Sequence, residues 1–173
     1  VVWVLGDNYT VGVGDEIYEG VWKKGVDIIN LAKKAEESWK DRICKVMGKM
    51  RMGDDIVFLA GRREIFEKKG DELIVTIGEI LKLVPRGGRL IYCGVTHRFD
   101  LDVRSCVNGE IDRVNREVSG KYKEWGNFKY VNLGMMPKRA FRLGINGYSE
   151  LNKLGGLMGA EVVTEVMMGD NKS

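Results

Sequence analysis

At 173 residues the chain is long enough for one sizeable hydrophobic core and short for two, so it is read as a single domain spanning residues 1–173. Hydrophobic residues make up 44% and charged residues 31%, a balance that excludes intrinsic disorder. No apolar run approaches the ~20 residues that cross a bilayer, so no membrane association is expected. The formal charge of +3 is mildly basic and compatible with a polyanionic partner.

Three cysteines, Cys44, Cys93 and Cys106, form an odd set without a Cys-x-x-Cys spacing, and two of them fall at positions expected to be buried. Free thiols in a reducing compartment follow, which places the chain inside a cell, in cytoplasm or nucleus. His97 is the only histidine, and no Cys/His cluster compensates, so neither a metal site nor a cofactor is expected. The chain starts on an apolar run with no initiator Met and no signal-like segment, which suggests a domain excised from a longer protein.

In chain order, residues 1–5 contain no polar side chain and predict a central strand covered on both faces. A polar turn through Asp7 and Asn8 follows, then a short helix with Ile17, Val21 and Trp22 inward. Residues 26–30 read as a second strand, and residues 35–50 as a helix with Trp39, Ile43, Val46, Met47 and Met50 on one face. A third strand over 56–60 ends in the polar loop Gly61-Arg62-Arg63-Glu64. Leu73, Ile77, Ile80, Leu81 and Val84 keep a helical period that Pro85, Gly87 and Gly88 end.

Residues 89–93 form a fourth strand, followed by a loop with Thr96, His97 and Arg98. Val107, Ile111, Val114, Val118 and Tyr122 are at helical spacing, and residues 128–133 make a fifth strand. The basic run 138–142 reads as loop, and a last helix is expected to bury Leu151, Leu154, Met158, Val162 and Val166. Strands alternating with helices predict an α/β fold, a three-layer α/β/α sandwich with a flavodoxin-like five-stranded parallel sheet. Ligands in such folds sit beyond the carboxyl ends of the strands.

A first strand ending Gly6-Asp7, a third strand ending at Gly61, and Asn146-Gly147-x-x-x-Leu151-Asn152-x-x-Gly155 before the last helix resemble the SGNH (GDSL-like) hydrolases over nearly the whole chain. The nearest flavour is the SGNH domain of non-LTR retrotransposon proteins, in which an Asn-Arg pair starts a late helix, as Asn115-Arg116 is expected to do here. The resemblance implies ester hydrolysis by a serine, with a carboxy-terminal His as base, an orienting Asp, and a Gly and an Asn completing the oxyanion hole. A hydroxyl attacks only as a base removes its proton, and donors must meet the oxygen that becomes negative.

Matched block by block, that chemistry is missing. Asn8 stands where the nucleophilic serine belongs, and an amide is no nucleophile. The second block's glycine falls on Ala32 or Ala35, the third block's Asn on Arg63, and its Asp on Glu64. No Asp-x-x-His exists within residues 146–152. A rebuilt Cys93/His97 pair is the catalytic alternative, with a buried Cys93 and a solvated His97 as the plain one.

The loops after the strands carry Lys33 and Lys34, Arg62 and Arg63, His97 and Arg98, then Lys138, Arg139 and Arg142, opposed only by Asp7 and Glu64. With Asn8 at its floor, such a rim suits phosphate backbones, and Phe99, Phe141 and Tyr148 suit base stacking. SGNH-like domains without their triads, such as that of the germ-plasm protein Oskar, imply an RNA partner by resemblance. The leading expectation is a non-catalytic SGNH-like domain binding RNA or single-stranded nucleic acid. Alternatives are a protein-interaction or assembly module with a decayed site, an atypical esterase, or a methyltransferase-like protein suggested by Leu83-Val84-Pro85-Arg86-Gly87-Gly88-Arg89-Leu90.

Overall fold

The computed structural model describes residues 1–6, 16, 19, 28–30, 39–59, 61–133, 136–143 and 149–169. Five parallel strands, β1 (Val2–Gly6), β2 (Ile28–Asn30), β3 (Asp55–Leu59), β4 (Leu90–Cys93) and β5 (Phe128–Val131), pair in the order β2-β1-β3-β4-β5. The central register sets Val4 opposite Val57 and Ile91 opposite Val57 on its other side. From β1 the chain adds β2 on one side and β3 on the other. The carboxyl ends of β1 and β3 therefore flank the switch point where such sheets hold ligands.

Strand side chains alternate between two cores, as a period of two requires. Trp3, Leu5, Ile56, Phe58, Leu90, Tyr92 and Phe128 face one layer of helices, α1 (Trp39–Met47), α2 (Arg62–Phe66), α3 (Gly70–Leu83) and α4 (Cys106–Tyr122). Val2, Val4, Val57, Leu59, Ile91, Cys93 and Val131 face the opposite side, covered by α5 (Lys153–Gly169). Both faces are apolar, and this makes the strands continuous hydrophobic runs.

The helix faces expected for α1, α3 and α4 are the buried ones, with Ile43, Val46, Leu73, Ile77, Ile80, Leu81, Ile111, Val114, Val118 and Tyr122 inside. Full burial of each large aliphatic side chain stabilises by about 1.5–3 kcal/mol. Asp71 and Glu72 meet the positive end of α3. It stops at Val84, whose extended backbone (φ −59°, ψ 127°) is what the following Pro85 demands. In α4 the N-cap Ser105 Oγ accepts the Asn108 backbone N–H at 3.2 Å.

Four expectations are corrected. Residues 62–66 are helix rather than loop. The run 138–142 is a 3-10 turn, Lys138–Ala140, leading into β6 (Phe141–Leu143), which pairs antiparallel with β7 (Ser149–Leu151) in a second small sheet. Asn115-Arg116 lies in the middle of α4, which begins at Cys106. The last helix buries Gly155, Gly156, Gly159, Ala160, Val163, Thr164 and Met167; of the residues expected inside, Leu151 (in β7), Met158 and Val166 pack partly buried against the core, while Leu154 and Val162 are 42% and 38% exposed.

The burial of the small residues of α5 has a steric cause. A Cβ at Gly155 would overlap the Ala140 carbonyl oxygen, so the helix approaches the turn before β6 through its smallest residues. Asn152 fixes that approach, its Nδ2 donating to the Arg139 carbonyl at 2.6 Å while its Oδ1 accepts the Gly155 N–H at 3.0 Å. Of the cysteines only Cys93 is buried; Cys44 and Cys106 are exposed, and all three are free thiols.

Candidate binding site at the carboxyl end of the sheet

Beyond β3 the chain turns through Gly61, whose φ of 123° belongs to the region open to glycine. A side chain there would also strike Leu73. This turn launches α2 and folds Arg62 inward, leaving it 5% exposed with its guanidinium 5.4 Å from the centre of the Phe66 ring. Arg98, from the loop after β4, stacks on the same ring at 5.3 Å. Both distances are within cation–π range, so Phe66 joins the ends of β3 and β4.

The cations of this rim have local partners. Arg98 forms a two-point ion pair with Asp100, Nε to Oδ1 at 3.0 Å and a second contact through its NH2 group. The Arg98 hydrogen bonds hold the Asp100 carboxyl below its usual range. Arg63 points outward and pairs with Glu67 at 2.8 Å. Glu67, Asp100 and Asp112 therefore join Glu64 as opposing acids, more than the sequence reading counted.

Glu64, in the first turn of α2, is half-buried, with Oε2 enclosed and no hydrogen-bond partner among the described residues. Burial pushes its carboxyl pKa up. Lys138 and Arg139 are exposed on the 3-10 turn and make no ion pair among the described residues. Phe99 and Phe141, expected as stacking platforms, stack on each other with centroids 4.2 Å apart, fastening the loop after β4 to β6.

His97 Nε2 is 2.5 Å from Asp112 Oδ1, so the only imidazole is tied to the flank of α4. Cys93 is 1% exposed, and burial drives its thiol pKa far above the ordinary value. That overturns the Cys93/His97 nucleophile, because attack requires a thiolate. The loop carrying His97 is held by two asparagines of α4. Val95 N–H donates to Asn115 Oδ1 at 3.0 Å and Asn115 Nδ2 donates back to the Val95 carbonyl at 2.8 Å. Asn108 accepts from Arg98 N–H at 2.8 Å and donates to the Arg98 and Asp102 carbonyls, both at 3.0 Å.

Of the expected site residues, Arg62, Arg63, His97, Arg98, Lys138 and Arg139 lie on segments following the carboxyl ends of β3, β4 and β5. Asn8, Lys33 and Lys34 lie outside the described residues, as do Asp7, Tyr148 and the residues Ile17, Val21 and Trp22 of the expected short helix. Arg142 is placed by its backbone in β6. Sequence reading missed a hollow of about 230 Å³ between α4 and the ends of β4 and β5, lined by His97, Asp112, Arg116, Ser119, Tyr130 and Asn132. Its signal was available: Asp112, Arg116 and Ser119 follow helical spacing beside the buried stripe of α4. Among the described residues, no group of three His, Cys, Asp or Glu side chains is placed to hold a metal ion. Nor, among them, is any helix long and apolar enough to cross a membrane.

This sheet order, with helices on both faces, is the fold of the SGNH/GDSL hydrolases, and solved structures of that class superpose on nearly the whole chain. A member of the lipolytic G-D-S-L family from Veillonella parvula matches with a TM-score of 0.75 at 15% identity, covering 96% of this chain and 97% of its own. A family 3 carbohydrate esterase from Talaromyces cellulolyticus gives 0.69 at 13% identity, covering 99% of each chain. The catalytic domain of peptidoglycan O-acetyltransferase A from Streptococcus pneumoniae gives 0.65 at 10% identity, covering 98% of this chain and 93% of its own. The likeness is one of fold. No family model and no curated protein matches the sequence.

Proposed function

We propose that this chain is a non-catalytic SGNH-fold domain that binds single-stranded RNA along the basic segments following β3, β4 and β5. The observation that carries the loss of catalysis is the placement of His97. The only imidazole in the sequence is held by Asp112 against α4, two strands from the end of β1 where Asn8 replaces the nucleophilic serine. With neither hydroxyl nor base, acyl transfer has no starting step. Lys138 and Arg139 are exposed cations following β5, with Arg63 exposed after β3, and a phosphate backbone is the polyanion that exposed cations at this end of the sheet suit.

The test is a titration of labelled oligouridylate at rising salt, beside turnover of short acyl esters. Expected are salt-sensitive RNA binding, its marked weakening by Lys138→Glu with Arg139→Glu, and no ester turnover even in Asn8→Ser. No RNA binding at low salt, or equal binding by the double variant, overturns the RNA reading. Ester turnover by the wild type or by Asn8→Ser overturns the loss of catalysis. The apolar outer face of α5, where Leu154, Leu157 and Val162 are exposed, favours a protein-interaction module as second reading. Sedimentation showing a concentration-independent monomer removes self-assembly from it.

A further inference from the structure

The hollow beside α4 is separate from the switch point between β1 and β3. Its floor is the edge of the sheet, where Tyr130 and Asn132, two residues apart at the end of β5, meet the His97 loop. Asp112, Arg116 and Ser119 form the facing wall from three successive turns of α4.

The polar groups here differ from those elsewhere on the same helix. Arg113 is consumed by structure, bonding Asp71, Glu110 and Glu117 at 2.7–2.9 Å. Arg116, one turn away, makes no ion pair or hydrogen bond among the described residues, and the same holds for the hydroxyls of Ser119 and Tyr130. Asp112 is the opposing charge and is engaged by His97. Gly94 leaves room for the Tyr130 ring, because a methyl group there would collide with its hydroxyl. The ring is steadied by Tyr92, 6.2 Å away between centroids.

We propose that this hollow is a nucleotide pocket. Tyr130 offers its ring to a base, while Ser119 meets the edge of that base. Arg116 presents its planar guanidinium to a phosphate at the open mouth. At about 230 Å³ and open to solvent, the hollow takes in part of a nucleotide, which is either free or one residue of a longer strand. The pocket deepens the RNA-binding reading and rests on it only for the polymeric form.

The experiment titrates the full chain with uridine monophosphate and, separately, with oligouridylate, following backbone amide shifts and affinity. Variants are Arg116→Ala, Arg116→Lys and Ser119→Trp, the last filling the hollow. Expected are shifts at Val95, Ser119 and Tyr130 with either ligand, and a loss of oligouridylate affinity of about tenfold in Arg116→Ala, the scale of one charge-assisted hydrogen bond. Partial rescue is expected in Arg116→Lys, so the outcome does not depend on Ser119→Trp folding. Oligouridylate bound equally well by wild type and Arg116→Ala, with no shifts at these amides, overturns the pocket and leaves the RNA reading standing. Oligouridylate ignored at low salt overturns the RNA reading. Shifts with uridine monophosphate then support the pocket for a free nucleotide, and their absence overturns it.

Discussion

Glu64 is the residue at which the site and the stability of the fold conflict. Its enclosed Oε2 lacks a partner among the described residues, and burial raises its pKa, so ionisation of this side chain costs folding free energy. A carboxyl raised in the folded state contributes no penalty below its unfolded value and the full penalty above its folded one. Glu64→Gln is therefore expected to raise Tm at pH 7 to 8 by about 1–3 °C, with the gain vanishing near pH 4. Thermal melts across that range check it, and a pH-independent difference counts against the buried charge. Asp100 runs the other way. Its pKa is depressed by Arg98, so its contribution is present at neutral pH and lost as pH falls through that lowered value.

At the scale of elements, the loop after β4 owes its shape to α4 rather than to its own sequence. Asn115 closes two hydrogen bonds with the backbone of Val95. Asn115→Ala leaves that N–H and carbonyl without their partner and is expected to cost about 1–3 kcal/mol. Hydrogen exchange at the Val95 amide reports it directly: faster exchange is expected, and unchanged protection would show the clamp to be idle. The last helix offers a paired prediction. Leu157→Ser on its exposed face is expected to change stability by less than about 0.5 kcal/mol. Ala160→Leu on the packed face is expected to cost about 1–3 kcal/mol through overpacking. Periodicity of large apolar residues placed Met158 and Val166 against the core but also Leu154 and Val162, which are exposed, because closeness to the sheet is set by Gly155, Gly156, Gly159 and Ala160, which hydropathy hardly weighs. The helix Arg62–Phe66 was illegible for a related reason: it is five residues long and its N-cap, Gly61, offers no side-chain cap.

For the whole molecule, the charge of +3 is distributed so that much of the rim is neutralised by its own acids. If Lys138 and Arg139 are the phosphate contacts, log affinity for single-stranded RNA is expected to fall with log salt at a slope of about −1.4. Replacing Lys138 and Arg139 by Glu is expected to flatten that slope by about one unit or more. A steeper wild-type slope would mean that further cations, among them Lys33 and Lys34, take part.

Period, composition and residue identity alone were enough to read the alternation of strands and helices and the two-faced apolar sheet. None of the three needs a partner to be read. Tertiary packing alone set which cations already have carboxylate partners, that the small residues of the last helix make its closest contacts, and that Asp112, Arg116 and Ser119 meet Tyr130 and Asn132 around a hollow. Each of these depends on residues far apart in the chain coming within a few ångströms, a relation that local pattern does not encode.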